Sequence, residues 1–88
     1  MTKGDAYKNL YTYLRESQKI EVVLTFEEIE KIIKRKLPNS AQTHSEAWWS
    51  NNYDHSQAIS WMDAGYNTDM VSDTNKEKKI IFIKQLED

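Results

Sequence analysis

Eighty-eight residues, 39% of them apolar, carry no cysteine and a net charge of −2 from 12 basic and 14 acidic side chains. That length predicts one domain over residues 1–88, with a small core enlarged by three Trp, five Tyr and two Phe. Disulfides and thiolate metal centres are excluded, and the near balance of charge argues against a general polyanion binder, whose affinity rests on phosphate neutralisation.

No apolar run reaches the length of a membrane span, and the opening MTKGDAYKNL holds no signal-peptide core. A cytoplasmic location with no membrane partner is therefore expected. The first predicted element is a helix from about Asp5 to Ser17, because Tyr7, Leu10, Tyr11 and Leu14 recur at the spacing of one helical face. Asp5 suits its N-terminus, where the helix dipole favours an acid. A β-branched stretch, Ile20 to Leu24, predicts a short strand.

Thr25-Phe26-Glu27-Glu28 has the form of a capping box, with Leu24 and Ile29 placed for a hydrophobic staple. The helix it opens is predicted to run to about Lys36 and to bury Phe26, Ile29, Ile32 and Ile33. Its basic last turn suits the helix dipole without any partner. Pro38 disfavours helical geometry at Leu37 and so is expected to end this helix in a turn, Leu37–Ser40. Asn39 or Ser40 then caps a second helix, Ala41 to about Ser50, with Ala47 and Trp48 facing inward. Asp54 and Gln57 suggest another capping box ahead of a short helix, 55–64, carrying Ala58, Ile59, Trp61 and Met62 toward the core. Gly65 stands where a left-handed helix end is expected. Tyr66 to Ser72 and Lys79 to Lys84 read as antiparallel strands around a polar loop, 73–78.

The fold class is accordingly α+β, and the element order is that of a winged helix with one extra helix at 54–64. A winged helix pairs its first short strand with its last, which here sets Ile20–Leu24 beside Ile80–Ile83. Residues 41–50 then take the recognition-helix position and residues 73–78 the wing. Gln42, Thr43, His44 and Ser45, with Ser40 ahead of them, have the short polar chemistry that reads base edges. Lys34, Arg35 and Lys36 would reach phosphates beside them, and Lys76, Lys78 and Lys79 would hold a second backbone segment.

The chain also resembles an uncharacterised family of small bacterial and phage domains. The resemblance rests on Leu24-Thr25-Phe26-Glu27-Glu28-Ile29-Glu30, Leu37-Pro38-Asn39-Ser40-Ala41, Trp48-Trp49-Ser50-Asn51, Trp61-Met62-Asp63-Ala64-Gly65-Tyr66 and Ile81-Phe82-Ile83-Lys84. It spans roughly residues 7–84 and implies architecture rather than activity. In such proteins the turn after Ile33 usually holds a Gly; Lys34 stands there instead, which implies a different helix ending.

Two functions follow from different classes. The first is a small DNA-binding module, regulatory or accessory, with double-stranded DNA as partner. The second is a protein–protein interaction module on the same scaffold, such as a phage or plasmid inhibitor of a host defence nuclease or other nucleic-acid-processing protein; folds of this kind are reused, and fold does not fix function. Its anchors would be Trp49, Asn51, Asn52 and Tyr53. Trp48 and Trp49 point about 100° apart on a helix, so both cannot face one core. An enzyme is not expected: there is no phosphate-binding loop or nucleophile elbow, and no cofactor is implied. His44 and His55, even with Glu46 or Asp54, lack compact metal-ligand spacing.

Overall fold

A computed structural model describes residues 7–70 and 78–85. Among them lie five helices and a three-stranded antiparallel sheet in the order α1 (Lys8–Ser17), β1 (Glu21–Thr25), α2 (Phe26–Ile33), α3 (Ser40–Thr43), α4 (Ser45–Trp48), α5 (Ser56–Asp63), β2 (Tyr66–Met70) and β3 (Lys79–Lys84). The sheet order is β1-β3-β2. Val22 pairs with Phe82 and Leu24 with Ile80, so the first strand lies beside the last as the pattern predicts. The other edge of β3 holds β2, with Thr68 opposite Phe82.

In α1, Leu10 and Leu14 are buried while Tyr7 and Tyr11 pack half-buried against the core. Asp5 lies outside the described residues. The helix ends at Gln18, which is left-handed at φ 56°. Beyond it the Tyr66 hydroxyl donates to the Lys19 carbonyl and meets Ser17 Oγ at 3.0 Å, tying the end of α1 to the start of β2. Strand β1 alternates as a half-buried strand must: Val22 and Leu24 point inward, Glu21 and Val23 outward.

The capping box forms as expected. Thr25 Oγ1 accepts from the Glu28 N–H at 3.0 Å, and Glu28 Oε1 accepts from the Thr25 N–H at 2.8 Å. Leu24 and Ile29 are both buried. The C-terminal end departs from expectation, since α2 stops at Ile33 and not near Lys36. Lys34 turns left-handed at φ 61°, and the Arg35 N–H closes back on the Glu30 carbonyl at 3.2 Å. That six-residue closure is a normal left-handed helix ending. The helix therefore does not finish differently for want of glycine; Lys34 adopts the glycine conformation at a steric cost. Pro38 comes too late to be the terminator.

The expected helix 41–50 is two single turns, α3 and α4, broken at His44 (φ −129°, ψ 52°). A continuous helix would give the Ala41 carbonyl to the Ser45 N–H. Here the Trp49 indole Nε1 donates to it, at 3.0 Å and in a buried setting. Asn39 occupies the cap position but makes no side-chain cap bond. Burial is also re-phased: Ala41, Ser45 and Trp49 are buried, Trp48 is half-buried and Ala47 is exposed. Of the inward pair expected, Ala47 is thereby overturned, while Trp48 does pack, half-buried, against the core.

No Asp54–Gln57 box forms either. His55 takes the cap position of α5 without a side-chain bond, and Gln57 Nε2 donates instead to the Trp48 carbonyl at 3.0 Å. Ala58, Ser60 and Trp61 are the buried residues of α5, with Ile59 and Met62 half-buried. Gly65 is left-handed at φ 92°, as anticipated, and lets the chain turn straight into β2.

Aromatic rings link the elements through the core. Trp49 stacks on Phe26 at 5.5 Å and on Trp61 at 5.7 Å, and Trp61 meets Phe82 edge-on at 5.8 Å. Trp48 adds an edge-on contact to Trp49 at 4.5 Å and another to Tyr7 at 6.1 Å. This chain of rings joins α1, α2, the α4 end, α5 and β3.

Candidate nucleic-acid interface

Glu30 builds the basic turn. Its carbonyl accepts from the N–H groups of Lys34 and Arg35, and its Oε2 accepts from the Leu37 N–H at 2.9 Å. With the backbone held from within, the Lys34, Arg35 and Lys36 side chains are all exposed. Arg35 also lies within electrostatic reach of Tyr7: burial pushes the Tyr7 phenol above its ordinary value, and the Arg35 guanidinium opposes part of that rise.

The chain then enters α3. The Asn39 carbonyl accepts from the N–H groups of Gln42 and Thr43, both at 3.0 Å, and from Thr43 Oγ1 at 3.2 Å. Gln42, Thr43 and His44 are exposed and Ser40 is half-buried. Ser45 is buried, so it is withdrawn from the set of expected base-contacting residues. A shallow open depression runs along Thr43, His44, Ser45, Glu46 and Ala47.

Among the hairpin lysines, Lys78 is exposed and left-handed at φ 54°, and its carbonyl accepts from the Phe26 N–H at 2.7 Å. That bond places Lys78 beside the N-terminal end of α2, while Lys34–Lys36 lie at the opposite end. Lys79 is half-buried opposite Thr25. Lys76 falls outside the described residues.

The expected protein-binding anchors separate into three cases. Trp49 is 1% exposed and makes the buried bond to Ala41, so it is a core residue and no surface contact. Asn51 is exposed, yet both ends of its amide are engaged. Oδ1 accepts from Trp61 Nε1 at 3.0 Å and the Thr68 N–H at 2.8 Å, while Nδ2 donates to the Thr68 carbonyl at 3.2 Å; the Thr68 hydroxyl donates to the Trp49 carbonyl. Asn51 closes the outer edge of β2 as a strand neighbour would, and of its hydrogen-bonding groups one Nδ2 N–H is left beyond these bonds. Asn52 Oδ1 accepts from the Asp54 N–H at 2.9 Å, a local turn bond, and Tyr53 stands out at 57% exposure.

Sequence spacing missed three features: the elbow at His44, the Asn51 clamp and the approach of His44 to His55 around Trp48. Only the first had a readable signal, the tandem tryptophans that cannot share one helical face. Among the described residues no group of three or more potential metal ligands assembles, and no helix is long and apolar enough to cross a membrane.

The fold and surface thus define a small α+β domain with a three-stranded antiparallel sheet and a basic turn leading into a helical elbow. The chain belongs to the family described as Domain of unknown function (DUF7662), whose model matches residues 7–84. No curated protein and no solved structure matches it.

Proposed function

We propose that this protein is a winged-helix-type module that binds double-stranded DNA, with α2 and the α3–α4 elbow as its helix-turn-helix and the β2–β3 connection as its wing. The carrying observation is the exposed run Lys34, Arg35 and Lys36 set directly before exposed Gln42, Thr43 and His44. Three cations suit phosphate contacts, which position a protein on its site, and the following side chains carry the groups that read base edges. The β1-β3-β2 order, with helices inserted between β1 and β2, supports the assignment of elements. Lys78 adds a cation on the wing side. A cytoplasmic, regulatory or accessory role fits a module of this size.

The test is a mobility-shift titration over a series of salt concentrations. Affinity should fall steeply with salt, because each phosphate-neutralising side chain releases counterions. Reversing Lys34 and Arg35 to Glu should weaken binding to all duplexes alike, whereas Gln42→Ala should change the ranking among sequences. Absence of any shift at low salt, together with a salt-insensitive complex with a protein, would move the assignment to an interaction module. That second reading, including an inhibitor of a nucleic-acid-processing protein, is favoured by the exposed apolar side chains Tyr53, Ile20 (64%) and Val23 (46%).

A further inference from the structure

His44 and His55 are eleven positions apart in the chain, yet they line one cleft with Ser40, Ala47, Trp48 and Gln57. The break between α3 and α4 presents His44 from one side, and the start of α5 presents His55 from the other. Trp48 supplies the aromatic surface, and its ring is held by edge-on contacts to Tyr7 and Trp49. The cleft has a volume of about 320 Å³, at the small end of ligand-binding cavities.

Its surface is mostly apolar and open to solvent, with a few uncharged polar groups at its margin. His55 Nδ1 is buried with no hydrogen-bond partner, an uncommon state that leaves Nε2 as the ring atom open to a ligand. Gln57 commits Nε2 to the Trp48 carbonyl, which fixes the amide and leaves Oε1 as an acceptor. Among the described residues the Ser40 hydroxyl and the His44 ring have no hydrogen-bond partner. No Lys, Arg, Asp or Glu lines the cleft, so it is built for neither a free anion nor a cation. A mostly apolar, uncharged surface around an aromatic ring, with a few donors and acceptors at its margin, matches a flat aromatic group that carries polar atoms on its edge.

We propose that this cleft receives a single unpaired nucleobase. The inference rests on the nucleic-acid reading above and deepens it, since His44 belongs both to the exposed elbow and to the cleft. A base that has left its stack exposes its pairing edge and its faces, and proteins take hold of it through stacking and hydrogen bonds to that edge. The basic turn at Lys34–Lys36 holds the backbone on either side.

The experiment compares a fully paired DNA duplex with the same duplex carrying one unpaired, bulged nucleotide. The bulged duplex should bind roughly five- to a hundredfold tighter, the range that base–aromatic stacking supports. His55→Asn, which keeps a good helix-capping residue, should remove that preference and leave affinity for the paired duplex unchanged. Trp48→Leu should do the same, with thermal melting run on both variants to establish that they are folded. Equal affinity for the two duplexes, or a preference that survives His55→Asn, overturns the base cleft while the DNA-binding reading stands. No shift with either duplex overturns both.

Discussion

Asn51→Ala should be among the most damaging substitutions of an exposed residue in this protein. Asn51 Oδ1 is the hydrogen-bond acceptor of Trp61 Nε1, and Trp61 is 0% exposed. Removing the amide leaves that indole N–H buried and unpaired, at about 1–3 kcal/mol. The two bonds to the Thr68 backbone lie at an accessible edge, where water replaces them in part, and their loss adds about 1 kcal/mol more. The total, about 2–4 kcal/mol, stands against a stability of roughly 4–13 kcal/mol for a chain of this length. Urea unfolding followed by tryptophan fluorescence and far-ultraviolet circular dichroism would read it as a lower midpoint at unchanged slope. The mechanism has its own check, because in a Trp61→Phe background no N–H remains to be orphaned. There Asn51→Ala should cost about 1–2 kcal/mol less than in the native protein. A variant within about 0.5 kcal/mol of the native protein, or equal costs in the two backgrounds, refutes the clamp.

Two further outcomes are expected. Lys34→Gly should raise stability by about 0.5–1 kcal/mol, since glycine holds the left-handed conformation at φ 61° without the steric penalty of a side chain; a lowered melting temperature would show that Lys34 makes a compensating contact. The Tyr7 phenol is raised above its ordinary value of 10.0, chiefly by burial, so the unfolded chain gives up this proton first as pH climbs. Its stabilising contribution is whole below pH 10 and is lost as pH rises through the folded value, and Tyr7→Phe should flatten that part of the stability profile.

Legibility followed the range of the interaction. The Thr25–Glu28 box, the left-handed Gly65 and the β-branched strands β1 and β3 are decided by residues within a few positions of one another, and all read correctly. The pairing of β1 with β3 read correctly too, because element order and β-branched content left few topologies open. Local reasoning failed where a distant side chain claimed a backbone group. Glu30 rather than Pro38 organises the end of α2, and Trp49 takes the Ala41 carbonyl and divides the next helix. The Asp54–Gln57 pair had the correct spacing for a cap, but Gln57 found a partner in the Trp48 carbonyl. For the candidate site, the basic turn and the exposure of Gln42, Thr43 and His44 were visible in the sequence. The withdrawal of Ser45 and Trp49 was not, since it depends on the phase of a helix that breaks.

That break limits what the elbow can read in a duplex. A recognition helix draws specificity from several turns lying along the major groove, whereas α3 has four residues and rises only about 6 Å. At about 3.4 Å per base pair, this matches no more than two steps of DNA. On the proposed DNA-binding function, Gln42, Thr43 and His44 would therefore supply only a narrow base preference, and most of the affinity on a paired duplex would have to come from Lys34, Arg35, Lys36 and Lys78. Such binding discriminates poorly between sequences, because phosphate contacts are the same everywhere. The same break that shortens the reading helix brings His44 to the cleft facing His55 and Trp48. If both proposals hold, selectivity would shift from sequence to structure, and an unpaired base beside the basic turn would distinguish one site on DNA from another better than any paired sequence does.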